Sequence, residues 1–135
     1  MAQEYPSSFD EVSNKYDTGG FASLNDKEQA IYTIWWLEAE VNNGGFHQYF
    51  WNSAGDHAAI ALRSLRNIGA TKTASLLKKA MDVAFGGEPP SSRADRQTQL
   101  EVDEVLKMDR LDDLDSEFYQ YSEKFYGMLD AYVAR

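Results

Sequence analysis

Apolar residues recur every three or four positions along most of this chain, which is the spacing that places them on one face of an α-helix. The clearest stripe follows Asn25, at i, i+4, i+7 and i+11: Ala30, Ile34, Leu37 and Val41. No segment alternates with period two for long enough to indicate a strand. The pattern therefore predicts an all-α fold.

Caps and helix breakers divide the chain into about six or seven helices with short connections, in a single compact domain spanning residues 1–135. Asn25 and Glu28 form a capping-box pattern at the start of the clearest helix. Other N-cap candidates are Ser8, Asp56, Thr71 and Ser92. The predicted helices span residues 8–16, 25–43, 46–51, 57–68, 71–84, 92–107 and 115–134.

The two C-terminal helices carry stripes of different strength. Helix 92–107 has a thin apolar stripe made of Val102, Val105 and Leu106. Helix 115–134 has an aromatic-rich stripe at helical spacing: Phe118, Tyr121, Phe125, Leu129 and Tyr132. We expect both stripes to face the core.

Composition narrows the chemistry. Apolar residues make up 43% of the 135 residues and aromatic residues 13%, which is typical of a folded domain. The absence of cysteine excludes disulfides, thiolate nucleophiles and cysteine-ligated zinc. The N-terminal residues lack the basic region and apolar run of a signal peptide, and the longest apolar run, 58–62, is far too short for a membrane span. A cytoplasmic location is expected.

The net charge of −9 argues against direct nucleic-acid binding and favours a basic protein partner. The charge is uneven, at −7 over 1–56, +4 over 57–87 and −6 over 88–135. The basic middle contains Arg63, Arg66, Lys72, Lys78 and Lys79. We expect it to pair with the acidic arms inside the fold.

The most unusual stretch, 43–56, concentrates glycines, amides and aromatics. Its candidate residues are Asn43, Gly44, Gly45, Phe46, His47, Gln48, Asn52 and Asp56. One interpretation is a sharp corner between helices, in which the amides satisfy backbone groups at helix ends. The other is a ligand pocket, with the Gly-Gly pair holding an anion on free N–H groups. The stretch contains no GxGxxG or GxxxxGK[ST] pattern.

Metal binding and catalysis have weaker support. Suitable metal ligands are His47, Asp56 and His57, with Glu38 or Glu40. Their spacing matches no HExxH pattern, and no serine stands in a GxSxG motif. We therefore predict no metal, no cofactor and no enzymatic activity.

Carboxylates crowd residues 101–117: Glu101, Asp103, Glu104, Asp109, Asp112, Asp113, Asp115 and Glu117. Only Lys107 and Arg110 offset them. Helical residues three or four apart have Cβ atoms about 5–6 Å apart. Such a row can resemble the phosphates of a nucleic-acid strand, although a solvated acidic face is the simpler interpretation.

The run N-G-G-F-x-Q-Y-F-x-N-S-x-G-D, from Asn43 to Asp56, resembles a bacterial family of helical domains whose named member is a DNA-mimic protein. The resemblance spans roughly residues 25 to 100 and continues through Ala61-Leu62, Ile68-Gly69-Ala70, Leu76-Leu77, Ala80, Phe85 and Pro89-Pro90. It implies an all-helical fold, a homodimer, and surface carboxylates that occupy the DNA-binding face of a transcription regulator.

Three functions stay open at this point. The first is an acidic DNA mimic that binds a basic DNA-binding regulator. The second is an enzyme or small-ligand binder with a pocket at the corner, lined by His47, Gln48, Asn52 and Asp56. The third is an immunity-like inhibitor of a basic toxin. The aromatic residues Trp35, Trp36 and Trp51 are candidates for a subunit interface.

Overall fold

A long central helix organises the fold, and the other helices pack around it. The computed structural model describes residues 8–135, and all the helices and turns assigned in that range belong to an all-α domain, as predicted. Among residues 8–135, none of the helices combines the length and the hydropathy that a membrane span requires. The helices are α1 (Phe9–Gly19), α2 (Asp26–Trp51), α3 (Ala58–Asn67), α4 (Thr71–Phe85), α5 (Arg93–Glu101), α6 (Glu104–Phe118) and α7 (Phe125–Val133).

The start of α2 follows the sequence prediction closely. The Asn25 side chain accepts from the Glu28 N–H at 2.9 Å, and the Glu28 carboxylate accepts from the Asn25 N–H at 2.9 Å. This reciprocal pair satisfies two N–H groups that the helix itself leaves without partners. The predicted stripe is almost completely buried: Ala30, Ile34, Leu37 and Val41. Helix α2 contacts α1, α3, α5, α6 and α7, so this stripe anchors the core.

Three of the other predicted caps make no capping hydrogen bond, although Ser8 does stand at the N-cap position of α1. Ser8 and Asp56 form no capping hydrogen bond, and Thr71 lies inside the first turn of α4. In place of a local cap, the Glu123 carboxylate from the α6–α7 connection accepts from the Thr73 N–H at 2.6 Å. Only Ser92 acts as predicted, because its hydroxyl accepts from the Asp95 N–H.

The predicted helix 92–107 is two helices. Asp103 adopts a left-handed conformation, with φ 52° and ψ 40°, and separates α5 from α6. The predicted stripe is consequently exposed: Val102 (59%), Val105 (77%) and Leu106 (53%). The prediction failed because the break turns α6 so that residues further along the chain face the core.

The predicted helix 115–134 is also interrupted. Tyr121 has a positive φ of 47°, between the end of α6 and the start of α7. Phe118 and Phe125 are both buried, but they lie on different helices. The turn at Tyr121 brings their rings to 6.1 Å from each other, whereas one continuous helix would separate the two residues by about 10 Å along its axis.

Candidate functional site

The corner that the sequence indicated is a kink within α2. Gly44 and Gly45 have non-helical backbone angles, and Gly45 has a φ of +77° that favours glycine. A Cβ atom on Gly45 would also collide with the Asp115 carboxylate. The kink therefore needs glycine both for its conformation and for space.

Asp115 caps the helix end that the kink exposes. The kink frees the Phe46 N–H, which donates to Asp115 Oδ1 at 2.8 Å. Burial raises the pKa of the Asp115 carboxyl above its ordinary value, and the hydrogen bond from Phe46 opposes that shift. Asp115 thus works as an N-cap supplied by α6 to the second half of α2.

A buried arginine holds the far side of the corner. Arg96 is completely buried and donates to five acceptors, four of which are backbone carbonyls. Its guanidinium contacts the carbonyls of Phe50, Asn52, Pro90 and Ser91 at 2.9–3.1 Å. The fifth acceptor is Asp56 Oδ1 at 2.7 Å. Arg96 therefore ties α5 and the loop before it to the end of α2.

The amides of the corner have protein partners too. Glu40 Oε2 accepts from Asn52 Nδ2 at 2.8 Å and from Gln48 Nε2 at 3.2 Å. The Trp51 carbonyl accepts from Arg93 Nε and Gln97 Nε2, both at 3.0 Å. These bonds support the structural interpretation of the corner.

An open groove lies at the corner, but its lining residues differ from those of the predicted pocket. Its lining residues are Asn43, His47, Gln48, Trp51, Asn52 and Glu104. Asp56 lies outside this groove because it pairs with Arg96. His47 stacks on Trp51, and its Nε2 lies 3.4 Å from Glu104 Oε2. Across residues 8–135, no three metal-binding side chains gather into a metal site.

Four exposed carboxylates form a connected row along α6: Asp109, Asp112, Asp113 and Glu117. Each is three or four residues from another, so their Cβ atoms are about 5–6 Å from their neighbours. They lie opposite the buried face of the helix, which contains Leu111, Leu114 and Phe118. We call this row the acidic ridge.

The other predicted carboxylates divide into three groups. Glu101 and Asp103 are exposed at the α5–α6 junction, and Glu104 is partly covered beside His47. Asp115 is buried at the kink, so its prediction as a surface-patch residue is wrong. The prediction failed because Asp115, three residues before Phe118 and four after Leu111, lies on the buried side of α6.

The two basic residues near the ridge behave differently. Lys107 turns away from it, because its ammonium donates to the Gln99 carbonyl at 2.7 Å. Arg110 is exposed on the flank of α6 and lines a shallow depression with Lys79 and Asp113. Glu117 lines a second depression with Lys72 and Lys79. The ridge carboxylates thus face solvent, with basic side chains of α4 along one border of the ridge.

The basic middle segment does not follow its predicted role. The ion pair that it forms in the described part of the chain joins Lys78 to Asp82 at 2.5 Å, within α4 itself. Arg63 lies 3.4 Å from the Gln29 side chain, and Arg66 is exposed. The expected pairing between the middle and the acidic arms is not found among residues 8–135.

Apolar side chains are exposed at the N-terminal end of the ridge. We call this group the apolar tip: Val102, Val105, Leu106 and Met108, each more than 40% exposed. A cluster of large apolar side chains facing solvent is typical of protein-interaction surfaces. The α5–α6 region therefore combines apolar contact area with a carboxylate row.

The local sequence pattern did not indicate Arg96 as a structural centre. Three of its five partners lie 40 to 46 residues away in the corner, which no local pattern reveals. One signal was available, because Leu100 follows Arg96 at i+4, and that spacing places both on the same helix face. Both are completely buried.

Comparison with known proteins adds a family. The family model described as DMP19-like protein matches residues 22–135. No curated protein and no solved structure matches the chain. The matched range includes the kinked helix α2, the Arg96 network and the acidic ridge. The chain belongs to the DMP19-like protein family, which is the family of DNA mimic protein 19.

Proposed function

We propose that this protein is a DNA mimic whose acidic ridge occupies the basic, DNA-binding surface of another protein. The observation that carries the proposal is the row of four exposed carboxylates along α6, opposite that helix's buried face. The family match and the net charge of −9 support the same interpretation. The function is binding, without catalysis.

The spacing of the ridge suits a surface shaped for nucleic acid. Phosphates follow each other by about 3.4 Å along the axis of one strand, and neighbouring ridge carboxylates are separated by about 5–6 Å at Cβ. Lysine and arginine side chains are long enough to meet either spacing. The ridge thus offers a basic groove a row of negative charges in place of phosphates.

The apolar tip supports a protein partner. Protein interfaces combine an apolar centre with a polar, solvent-accessible rim. The tip and the ridge share α6, so a protein that contacts the carboxylates also meets exposed Val105 and Leu106. Contact with the apolar tip would add affinity beyond that from the electrostatic attraction at the rim.

The test compares two variants with identical changes in net charge. The ridge variant replaces Asp109, Asp112 and Asp113 with lysine, and Asp115 is left intact because it is buried. The control variant replaces three exposed acids elsewhere with lysine: Asp17, Glu88 and Asp130. Both should keep the helical circular dichroism spectrum of the parent chain.

Each immobilised protein is offered a DNA-binding fraction prepared by heparin chromatography, and bound proteins are eluted with duplex DNA. We expect the parent and control chains to retain a basic protein that duplex DNA displaces, and the ridge variant to lose it. Retention should fall steeply as salt is added, because the screening length of exposed charges is only about 10 Å at 0.1 M salt. Equal capture by the ridge and control variants would contradict the proposal.

Two further predictions stay open beside this proposal. The ridge would also suit a basic toxin, and the captured protein's identity decides between a regulator and a toxin. The homodimer implied by the family resemblance is checked by light scattering coupled to size exclusion.

The corner gives less support to an enzyme or ligand pocket, because the side chains of Gln48, Asn52 and Asp56 form hydrogen bonds with other residues of the chain.

A further inference from the structure

A small cavity lies between α1, α2 and the 3₁₀ turn after α2, away from the acidic ridge. Its volume is about 80 Å³. The side chains that define its chemistry are Tyr16, Tyr32, Trp36, His57 and Glu40. Three aromatic rings, an imidazole and a carboxylate therefore surround one cavity.

The rings are held in place by their own packing. Tyr16 and Tyr32 stack at 4.4 Å with an interplanar angle of 17°. Tyr32 and Trp36 lie 6.4 Å apart at 56°, so these two rings form walls that are tilted relative to each other. His57 stacks on Phe21 at 4.0 Å. The walls are consequently preorganised, which lowers the entropic cost of binding.

The His57 imidazole contributes an uncharged side of the cavity. Burial lowers the pKa of His57 below its ordinary value of 6.5, so near neutral pH the ring carries no charge that would repel a cation. Among residues 8–135, no lysine or arginine lines the cavity. The ionisable group that supplies charge to it is Glu40.

Only one of the two carboxylate oxygens of Glu40 accepts hydrogen bonds from residues 8–135. The Asn52 and Gln48 amides both bind its Oε2 atom, which fixes the carboxylate in position. Its Oε1 atom makes no hydrogen bond with any of residues 8–135. The cavity therefore presents a negative charge beside aromatic side chains.

We propose that this cavity binds an alkylated ammonium group. Aromatic faces attract a cation within about 6 Å of the ring centroid, and such cages recognise quaternary ammonium groups. The Glu40 charge adds attraction for a cation and disfavours an anion. One water needs roughly 10–15 Å³ of comparable space, so this volume admits a methylated headgroup and excludes a nucleotide.

The same group occurs on free small molecules and on alkylated lysine side chains. Isothermal titration with choline and tetramethylammonium tests the chemistry, with 3,3-dimethylbutan-1-ol as the neutral isostere of choline. We expect saturable binding of both cations and at least about fivefold weaker binding of the alcohol. Equal affinity for choline and the alcohol would overturn the proposal.

Variants locate the binding. Glu40→Gln keeps the size of the side chain and an oxygen for Asn52, and it should weaken choline binding at least about fivefold. Trp36→Leu should do the same, whereas Tyr32→Phe keeps its ring and should stay within about twofold of the parent. Trp51→Leu is the matched control, because Trp51 lines the other groove. Unchanged affinity in Glu40→Gln, with helical content intact, would reject this cavity as the site.

A peptide carrying trimethyllysine, compared with its unmodified form and with choline, identifies the source. Tighter binding of the modified peptide than of choline assigns the site to a protein side chain, and equal or weaker binding assigns it to a free molecule. Binding of either one at the cavity supports the proposal, and binding of neither refutes it. No ridge carboxylate takes part, so failure here leaves the DNA-mimic proposal intact.

Discussion

Replacing Arg96 with methionine should destabilise the fold more than any single surface change. Methionine keeps an extended apolar chain in the buried site but supplies no donors. The change leaves four backbone carbonyls and the Asp56 carboxylate without the guanidinium. Because these acceptors sit at the end of α2 and in the loop before α5, their loss loosens the contact between the two helices.

The magnitude follows from the burial. A buried acceptor that loses its partner costs about 1–3 kcal/mol, and removing one side of a buried ion pair costs about 3–5 kcal/mol. Water reaches part of this network, since the Asp56 side chain is 39% exposed, so the costs do not simply add. We expect a loss of about 3–5 kcal/mol, a large fraction of the roughly 5–15 kcal/mol of a typical domain.

Urea denaturation followed by far-UV circular dichroism measures this loss. Asp56→Asn is the partner variant, and we expect it to cost only about 1 kcal/mol, because the exposed carboxylate is screened and the carbonyl contacts remain. A loss below about 1 kcal/mol for Arg96→Met would show that the Arg96 contacts do not hold the corner together. Equal losses for the two variants would show that the ion pair, and not the carbonyl contacts, holds the corner.

Three further predictions concern stability. Gly69→Ala should lower the free energy of unfolding by about 1–2 kcal/mol, because Gly69 has a positive φ. Gly45→Ala should lower it by about 1–3 kcal/mol more, because the new methyl group also collides with the Asp115 carboxylate. Equal melting temperatures of the two variants would contradict this difference. Since burial depresses the folded-state pKa of His57 below 6.5, its contribution to stability is present above pH 6.5 and is lost as pH falls through the folded pKa; an NMR titration giving 6.5 or higher would be contrary to this account. Val105→Ser should change the free energy of unfolding by less than about 0.5 kcal/mol, whereas Leu111→Ala should cost about 2–5 kcal/mol, and thermal melts that rank the two in the opposite order would place the wrong face of α6 in the core.

Local signals in the sequence predicted the first half of the fold well. The capping box at Asn25 and Glu28 depends on residues three positions apart, and the structure confirms both of its hydrogen bonds. The break at Gly44 and Gly45 was also readable, because paired glycines after a helical stripe indicate a change of backbone conformation. Each of these features is decided by neighbours in the chain.

Features decided by distant partners were not predictable in this way. Asp115 contacts Phe46 across 69 residues, and Arg96 contacts Phe50 across 46. The helix boundaries at Asp103 and Tyr121 depend on non-glycine residues in left-handed conformations, which tertiary packing must stabilise. The exposure of the ridge depends on those boundaries, so the acidic cluster was visible in the sequence but its orientation was not.

Carboxyl footprinting of the protein bound to its captured partner tests the DNA-mimic proposal most directly. Water-soluble carbodiimide labels exposed carboxylates, and mass spectrometry compares the labelling of the free and bound chains. We expect strong protection of Asp109, Asp112, Asp113 and Glu117, with unchanged labelling of Asp17. Full labelling of the four ridge residues in the complex would contradict the DNA-mimic proposal.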